Sequence, residues 1–302
     1  MEHQELYTDL ALEEREKYEK EVEISGVKID EEQSEELKMT ITTVEIVNQH
    51  GERAMGKPKG KYITVESRLL KENMEKLQRE FSEQLKEVLL KVVGKKSRGR
   101  VLVVGLGNAN ATPDALGPKV TEKINVGEGV LCIAPGVWAQ TGMETFDIVK
   151  GVVEEVKPDL ILVIDSLASR NIRRVTTTVQ ITDTGITPGS GVGNHRKGIS
   201  EASLKRKVIA IGVPMVVSGA TIVNDTMEKL LGILKMVKKS SGWMEVLDGY
   251  TQEEKYQLFE ELLSEETEQT FVTPKDVDEI VENLSVVIAE AVNRFCHEWV
   301  IC

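Results

Sequence analysis

The sequence predicts an α/β protein: a central mixed, largely parallel sheet with helices on both faces, phosphorylase/hydrolase-like, plus a small β-rich N-terminal segment. Three observations carry this prediction. Four short runs are almost wholly apolar: Val101–Gly105 (VLVVG), Val130–Ala134 (VLCIA), Leu160–Asp165 (LILVID) and Val208–Pro214 (VIAIGVP). Such runs mark strands covered on both faces. Helix-period segments separate them. Residues 23–65, in contrast, alternate apolar and polar in the manner of half-buried strands.

Composition narrows the function. The chain has 302 residues, ample for a sizeable core. Asp and Glu number 50 against 38 Lys and Arg, a formal net charge of -12. That balance excludes a general nucleic-acid binder, whose surface needs excess cations. No apolar run reaches membrane-span length, and the first residues, MEHQELYTDLALEEREKYEKEVEISG, lack a signal core. A cytoplasmic protein without membrane partners is expected. Cys132, Cys296 and Cys302 fit a reducing compartment, and their spacing matches no zinc motif. Cys132 reads as a buried core thiol and Cys302 as an exposed chain end.

The elements follow in order. Residues 1–22 read as a polar, charged helix or a flexible arm. The strands of residues 23–65 are EISGVKI, MTITTVEIV and GKYITVES, with turn signals at Asn48-Gln49-His50-Gly51 and Gly56-Lys57-Pro58. From Glu66 to Val93 the period becomes helical, placing Leu70, Met74, Leu77, Phe81, Leu85, Val88 and Val92 on one face. Gly94 and Lys95-Lys96-Ser97-Arg98 end that helix. A further helix is predicted over Thr141–Val156, stopped by Lys157-Pro158-Asp159. Val175–Thr182 (VTTTVQIT) alternates and reads as an edge or antiparallel strand. Glu253–Glu268 reads as a solvated acidic helix. A last helix is expected after Thr273-Pro274, with threonine as N-cap and proline at the first helical position. Its apolar face, from Val277 to Phe295, suits core packing. No repeats or low-complexity linkers interrupt the chain.

Ligands and chemistry in an open α/β sheet sit beyond the carboxyl ends of the strands. Two aspartates are expected there: Asp114, after the turn GLGNANATPDALGP, and Asp165, closing LILVID. Alone, an aspartate near a helix start is most often an N-terminal stabiliser. Together, two close carboxylates share one proton, so that one draws a proton from water while the other polarises a carbonyl. Backbone amides around Gly105-Leu106-Gly107-Asn108 are candidates to steady an oxyanion, with Gly107 and Asn108 lining the crevice. His195, in GSGVGNHRKGIS, reads equally as a crevice residue or a plain loop residue. His3, His50 and His297 show no ligand spacing, and Asp225 reads as a cap. The turn lacks the third glycine of a dinucleotide site, VLCIAPG ends without its acidic partner, and no Gly-Lys-Ser/Thr follows for a P-loop. No cofactor and no metal are expected.

The motifs GLGNANATPDALGP, IAPGVWAQTGMET, VIDSLASR, ITDTGITPGSGVGNHRKGIS and GVPMVVSGATIVNDT resemble the spore germination proteases of endospore-forming Firmicutes, which are distantly similar to hydrogenase maturation proteases. The resemblance runs over essentially the whole chain, including YTDLALEERE and TPKDVDEIV. It implies an endopeptidase that degrades small acid-soluble spore proteins during germination, located in the forespore and spore core. It also implies a homotetramer, made as a zymogen that removes its own N-terminal piece. The family's proposed catalytic aspartates fall on Asp114 and Asp165. The family's preferred cut, after an acidic residue and before a hydrophobic residue and alanine, matches Thr8-Asp9-Leu10-Ala11. Self-cleavage between Asp9 and Leu10 is therefore expected. Residues 1–9 would be the propeptide and 10–302 one α/β protease domain, with a β-rich subregion at 23–65 and a catalytic core at 100–225. KVTEKINVGEGVLC is shorter than the family often has, and SGATIVNDT and VIDSLASR differ slightly from the common forms; none of these touches the two aspartates. Two other readings stay open: a metal-dependent peptidase with the carboxylates as ligands, and a non-catalytic module binding nucleotide or peptide at the glycine turn.

Overall fold

The computed structural model describes residues 8–19, 22–94, 99–127, 129–189, 197–236 and 270–301. Its strands are β1 (Val27–Ser34), β2 (Met39–Ile46), β3 (Gly60–Glu66), β4 (Val101–Gly105), β5 (Val130–Ile133), β6 (Leu160–Ser169), β7 (Thr178–Thr182), β8 (Lys207–Ser218) and β9 (Phe271–Val272). All nine form one sheet, eight of them in the order β1-β2-β3-β7-β8-β6-β4-β5, with β9 paired to β8 off this path.

The sheet has two halves of different sense. β8, β6, β4 and β5 run parallel. β1, β2, β3 and β7 pair antiparallel with one another, and β7 joins β8 antiparallel. The sheet is thus mixed, but "largely parallel" holds for one half alone. β7 lies between β3 and β8, so it is antiparallel and not an edge strand. The β-rich stretch 23–65 continues this same sheet.

Strand alternation sends side chains to two cores. Val101, Val103, Leu160, Leu162 and Ile164 face the core shared with α3 (Glu75–Val93), α4 (Leu116–Thr121) and the last helix, α9 (Val277–Ile301). Leu102, Val104, Ile161 and Val163 face α6 (Thr145–Val156) and Leu204 of α7 (Glu201–Leu204). Helices therefore cover both faces of the parallel half.

Several boundaries differ from the sequence expectation, each for a local reason. Helix α3 starts at Glu75, because Ser67 caps a separate 3-10 turn at Arg68–Lys71 and Glu72 is extended. Leu70 still enters the core, whereas Met74 is exposed. Asn48 Oδ1 accepts the amides of His50 and Gly51 at 2.9 and 3.1 Å, turning the expected loop into α2 (Gln49–Met55). Gly142, at φ +70°, separates α5 (Trp138–Thr141) from α6. α9 begins at Val277, and Thr273 Oγ1 donates to the Met215 carbonyl at 2.9 Å instead of capping it. Asp225 lies inside α8 (Gly219–Met236), so it is no cap. Cys132 is half-buried and Cys296 buried. His195, Lys95–Arg98, Glu253–Glu268 and Cys302 lie outside the described residues.

Of the N-terminal stretch, Thr8, Leu10, Ala11, Leu12, Glu13 and Arg15 are buried, whereas Glu16, Lys17 and Glu19 are exposed. Leu10 and Ala11 are 0 % exposed, and α1 (Ala11–Arg15) packs with Ala11 against Val44, Ile46, Met55 and Tyr62.

Candidate active site

Asp165 does not end its strand, because β8 keeps pairing with β6 as far as Ser169↔Val217. It does lie one residue past the last β4 pair, Gly105↔Ile164, so β6 loses one neighbour there and a crevice opens. Across the sheet Asp165 stands in register with Gly212 of β8, Gln180 of β7, Thr64 of β3 and Thr42 of β2. Registered residues project to one face, so these form a buried polar row with a gap at glycine.

Asp165 is 6 % exposed. Burial first, then the negative charges of Asp114 and Asp9, hold its pKa well above the ordinary carboxylate range. The Ser166 amide, donating to Oδ1 at 2.9 Å, opposes this. Asp165 is therefore the natural holder of a proton.

Asp114 closes the 3-10 turn Thr112–Asp114 that leads into α4. Its Oδ2 and its own carbonyl both accept the Asn108 amide, at 2.8 and 3.1 Å. The glycine turn thus folds around a carboxylate. A Cβ at Gly107, where φ is +111°, would stand 2.0 Å from the Asp114 carbonyl oxygen. A Cβ at Gly117 would stand 2.2 Å from the Leu106 carbonyl, which keeps α4 tight against the turn. Two of the amides proposed as oxyanion donors are engaged: Leu106 N–H donates to the Ile164 carbonyl and Asn108 N–H to Asp114. Asn108 Oδ1 accepts from Gln140 Nε2 at 2.6 Å, linking IAPGVWAQTG to the turn.

Asp114, Asp165 and Asp9 line one cavity of about 410 Å³, with Gly107, Val137 and Phe271 among its walls. Asp9 enters from the N-terminal segment. Its amide donates to the Ala168 carbonyl at 3.2 Å, and its Oδ2 accepts the Ala168 amide at 2.8 Å. Gln180 grips the same stretch: Nε2 donates to the Asp9 carbonyl at 3.1 Å and Oε1 accepts the Ala11 amide at 2.8 Å. Lys57 Nζ donates to the Thr8 carbonyl at 2.8 Å; burial lowers its pKa against the opposing charge of Asp9.

Glu13 anchors the segment from behind. It is 3 % exposed and accepts from Ser169 Oγ, the Arg170 amide and the Asn171 amide at 2.8, 2.7 and 3.0 Å. Arg174 meets Glu13 at 3.4 Å, Glu16 at 2.6 Å and Glu66 at 2.7 Å. Gln180, Lys57, Glu13 and Arg174 were not singled out from the sequence. Polar residues at alternate positions of VTTTVQIT were the available signal for Gln180.

Among the described residues, no three or more His, Cys, Asp and Glu side chains are grouped to hold a metal ion. None of the described helices is long and apolar enough to cross a membrane.

The chain was compared with known proteins. The sequence profile of the germination protease family matches residues 1–240 and 233–301. A germination protease of Caldanaerobacter subterraneus subsp. tengcongensis is 46% identical over 302 residues, covering 95% of this chain and 92% of that protein. Those of Clostridium acetobutylicum and Bacillus subtilis are 42% and 37% identical, covering 95% and 85% of this chain and 93% and 83% of theirs. Among solved structures, a NiFe hydrogenase maturation protease from Thermococcus kodakarensis matches with a TM-score of 0.33 and 23% identity, over 42% of this chain and 80% of that one. With its full-length profile match and relatives of this identity, the chain belongs to the germination protease family, a family of peptidases.

Proposed function

We propose that this chain is an endopeptidase that starts the degradation of small acid-soluble spore proteins during spore germination, and that Asp114 and Asp165 are its catalytic pair. It is made as a zymogen and cuts itself between Asp9 and Leu10, so that residues 1–9 are a propeptide. The observation that carries the reading is the crevice shared by Asp165, Asp114 and Asp9.

Asp165 holds the shared proton and Asp114 takes a proton from the attacking water. The water oxygen bonds to the substrate carbonyl carbon. The C–N bond then breaks, and the leaving nitrogen receives the proton from Asp165. The resemblance extends the proposal to a homotetramer in the forespore and spore core, with no cofactor. The metal-dependent alternative is less well supported, because among the described residues no three His, Cys, Asp and Glu side chains are grouped to hold a metal ion. The binding-module alternative is disfavoured too, since Asp114 fills the concave side of the glycine turn.

The test is incubation of the purified chain with a small acid-soluble spore protein, reading product masses. Wild type runs beside Asp165→Asn, with and without chelator. The proposal expects cuts after acidic residues by wild type, unchanged by chelator and absent in the variant. Loss with chelator would favour the metal reading. Undiminished cutting by Asp165→Asn would remove the catalytic assignment.

A further inference from the structure

An acyl-transfer site needs a donor at the oxygen of the bond being broken. Two of the amides expected to provide it are engaged elsewhere: Leu106 N–H with Ile164 and Asn108 N–H with Asp114. One side chain does reach the carbonyl oxygen of Asp9, and it is Gln180, at 3.1 Å from Nε2. Its orientation is fixed at the other end, where Oε1 accepts the Ala11 amide at 2.8 Å. Flipping the amide would set N–H against N–H. Gln180 is 6 % exposed on a strand paired on both sides, so it is held rigidly.

Its placement relative to Asp165 is set by register. Gln180 pairs with Gly212, and Gly212 pairs with Asp165. The two side chains thus project from the same face, two strand spacings or roughly 10 Å apart. Between them stands a residue without a side chain. A Cβ there would lie 2.4 Å from Leu167 Cδ1. Leu167 packs over Gly212 there, and it is Asp9, whose carbonyl Gln180 holds, that lines the cavity of Asp114 and Asp165.

We propose that Gln180 is a catalytic residue: its Nε2–H holds the carbonyl oxygen of the bond being cut, in the chain's own Asp9–Leu10 bond and in substrates that follow it. This rests on the self-cleavage reading above. As water adds to the Asp9 carbonyl carbon, the C=O electron pair moves onto oxygen, and the bond from Nε2 shortens onto that developing charge. The charge returns when the C–N bond breaks. Leu10 nitrogen leaves as an amine, and Asp9 keeps the new carboxyl group. Gln180 exchanges no proton.

The experiment follows the mass of the full-length chain over time, from acid to neutral pH, for wild type, Gln180→Met, Gln180→Glu and Asp165→Asn, with thermal melts of each. Removal of one oxyanion donor costs roughly 100–1,000-fold in rate. Gln180→Met is expected to lose that factor at every pH. Gln180→Glu keeps the acceptor for Ala11. It should lose as much near neutrality, then regain rate relative to wild type toward acid, where a protonated carboxyl group again donates. Should one variant melt early, the other still decides. With added small acid-soluble spore protein, the self-cut form of either variant should lose kcat with KM little changed.

A wild-type rate in either variant, or a Gln180→Glu deficit constant across pH, would overturn the role of Gln180 while leaving the dyad standing. Cutting by Asp165→Asn would overturn the dyad and leave Gln180 to be judged by its own variants. A wild-type chain that never cuts at Asp9–Leu10 would overturn the self-cleavage reading and, with it, the role of Gln180.

Discussion

Asp9 and Ala168 close a ring of two hydrogen bonds, the Asp9 amide to the Ala168 carbonyl at 3.2 Å and the Ala168 amide to Asp9 Oδ2 at 2.8 Å. Ala168 follows Asp165 by three residues on β6, roughly 10 Å along the strand. The N-terminal segment is therefore tied to the strand that carries the buried carboxyl group. Its own carboxylate is one of the charges that raise the pKa of Asp165.

This coupling predicts a pH profile. A pair that works with one shared proton loses rate as pH rises through the raised pKa of Asp165. Asp9→Asn removes a negative neighbour and lowers that pKa. The alkaline limb of self-cleavage in Asp9→Asn should thus lie at lower pH than in wild type, whatever the absolute rate. The check is the cleavage rate by intact mass across pH.

The same shift predicts stability. The folded pKa of Asp165 lies above its unfolded value, about 3.9 for a free aspartate. Its favourable contribution is present below that unfolded value and is lost as pH rises through the folded one. Asp165→Asn should melt higher than wild type near pH 7, by roughly 2–4 °C per kcal/mol gained. The gain should vanish toward pH 4. Calorimetry at the two pH values measures it.

Glu13 and Arg174 form a buried pair whose partners come from α1, the end of β6 and β3. Removing Glu13 leaves Arg174 paired with Glu16 and Glu66 but strips the Ser169 hydroxyl and the Arg170 and Asn171 amides of their acceptor, at about 1–3 kcal/mol for a buried group left unsatisfied. Glu13→Ala should lower Tm accordingly, and it should also slow self-cleavage, since it frees the segment that holds Asp9. Chemical denaturation, with a parallel mass time course, separates the two effects.

Gly107→Ala places a methyl carbon 2.0 Å from the Asp114 carbonyl and forces a left-handed φ on alanine. The stability cost should be about 1–3 kcal/mol. The loss of cleavage should be larger than that cost explains, because the turn that sets Asp114 must move. Comparing rate with Tm in Gly107→Ala tests this.

How much of this was legible follows from what each residue needs. The strands of the parallel half are apolar on both faces, so they stand out without help from elsewhere. Asp165 stood out because it follows such a run. Gln180 did not, since alternation in VTTTVQIT looks the same whether the polar face is wet or buried; Thr178 and Thr182 are buried beside it. Glu13 fell within residues 1–22, read as a polar, charged helix or a flexible arm. Its burial depends on Arg174, separated by 161 residues, and no local pattern reports that pairing. Asp9 and Leu10 were reached through the family resemblance, and their burial against Ala168 and Gln180 needed the fold.

The most direct measurement is the mass of the full-length chain over time, for wild type, Asp114→Asn and Asp165→Asn side by side. The account predicts that wild type converts to a species beginning at Leu10 while both variants stay intact. Conversion of Asp165→Asn at the wild-type rate would contradict it.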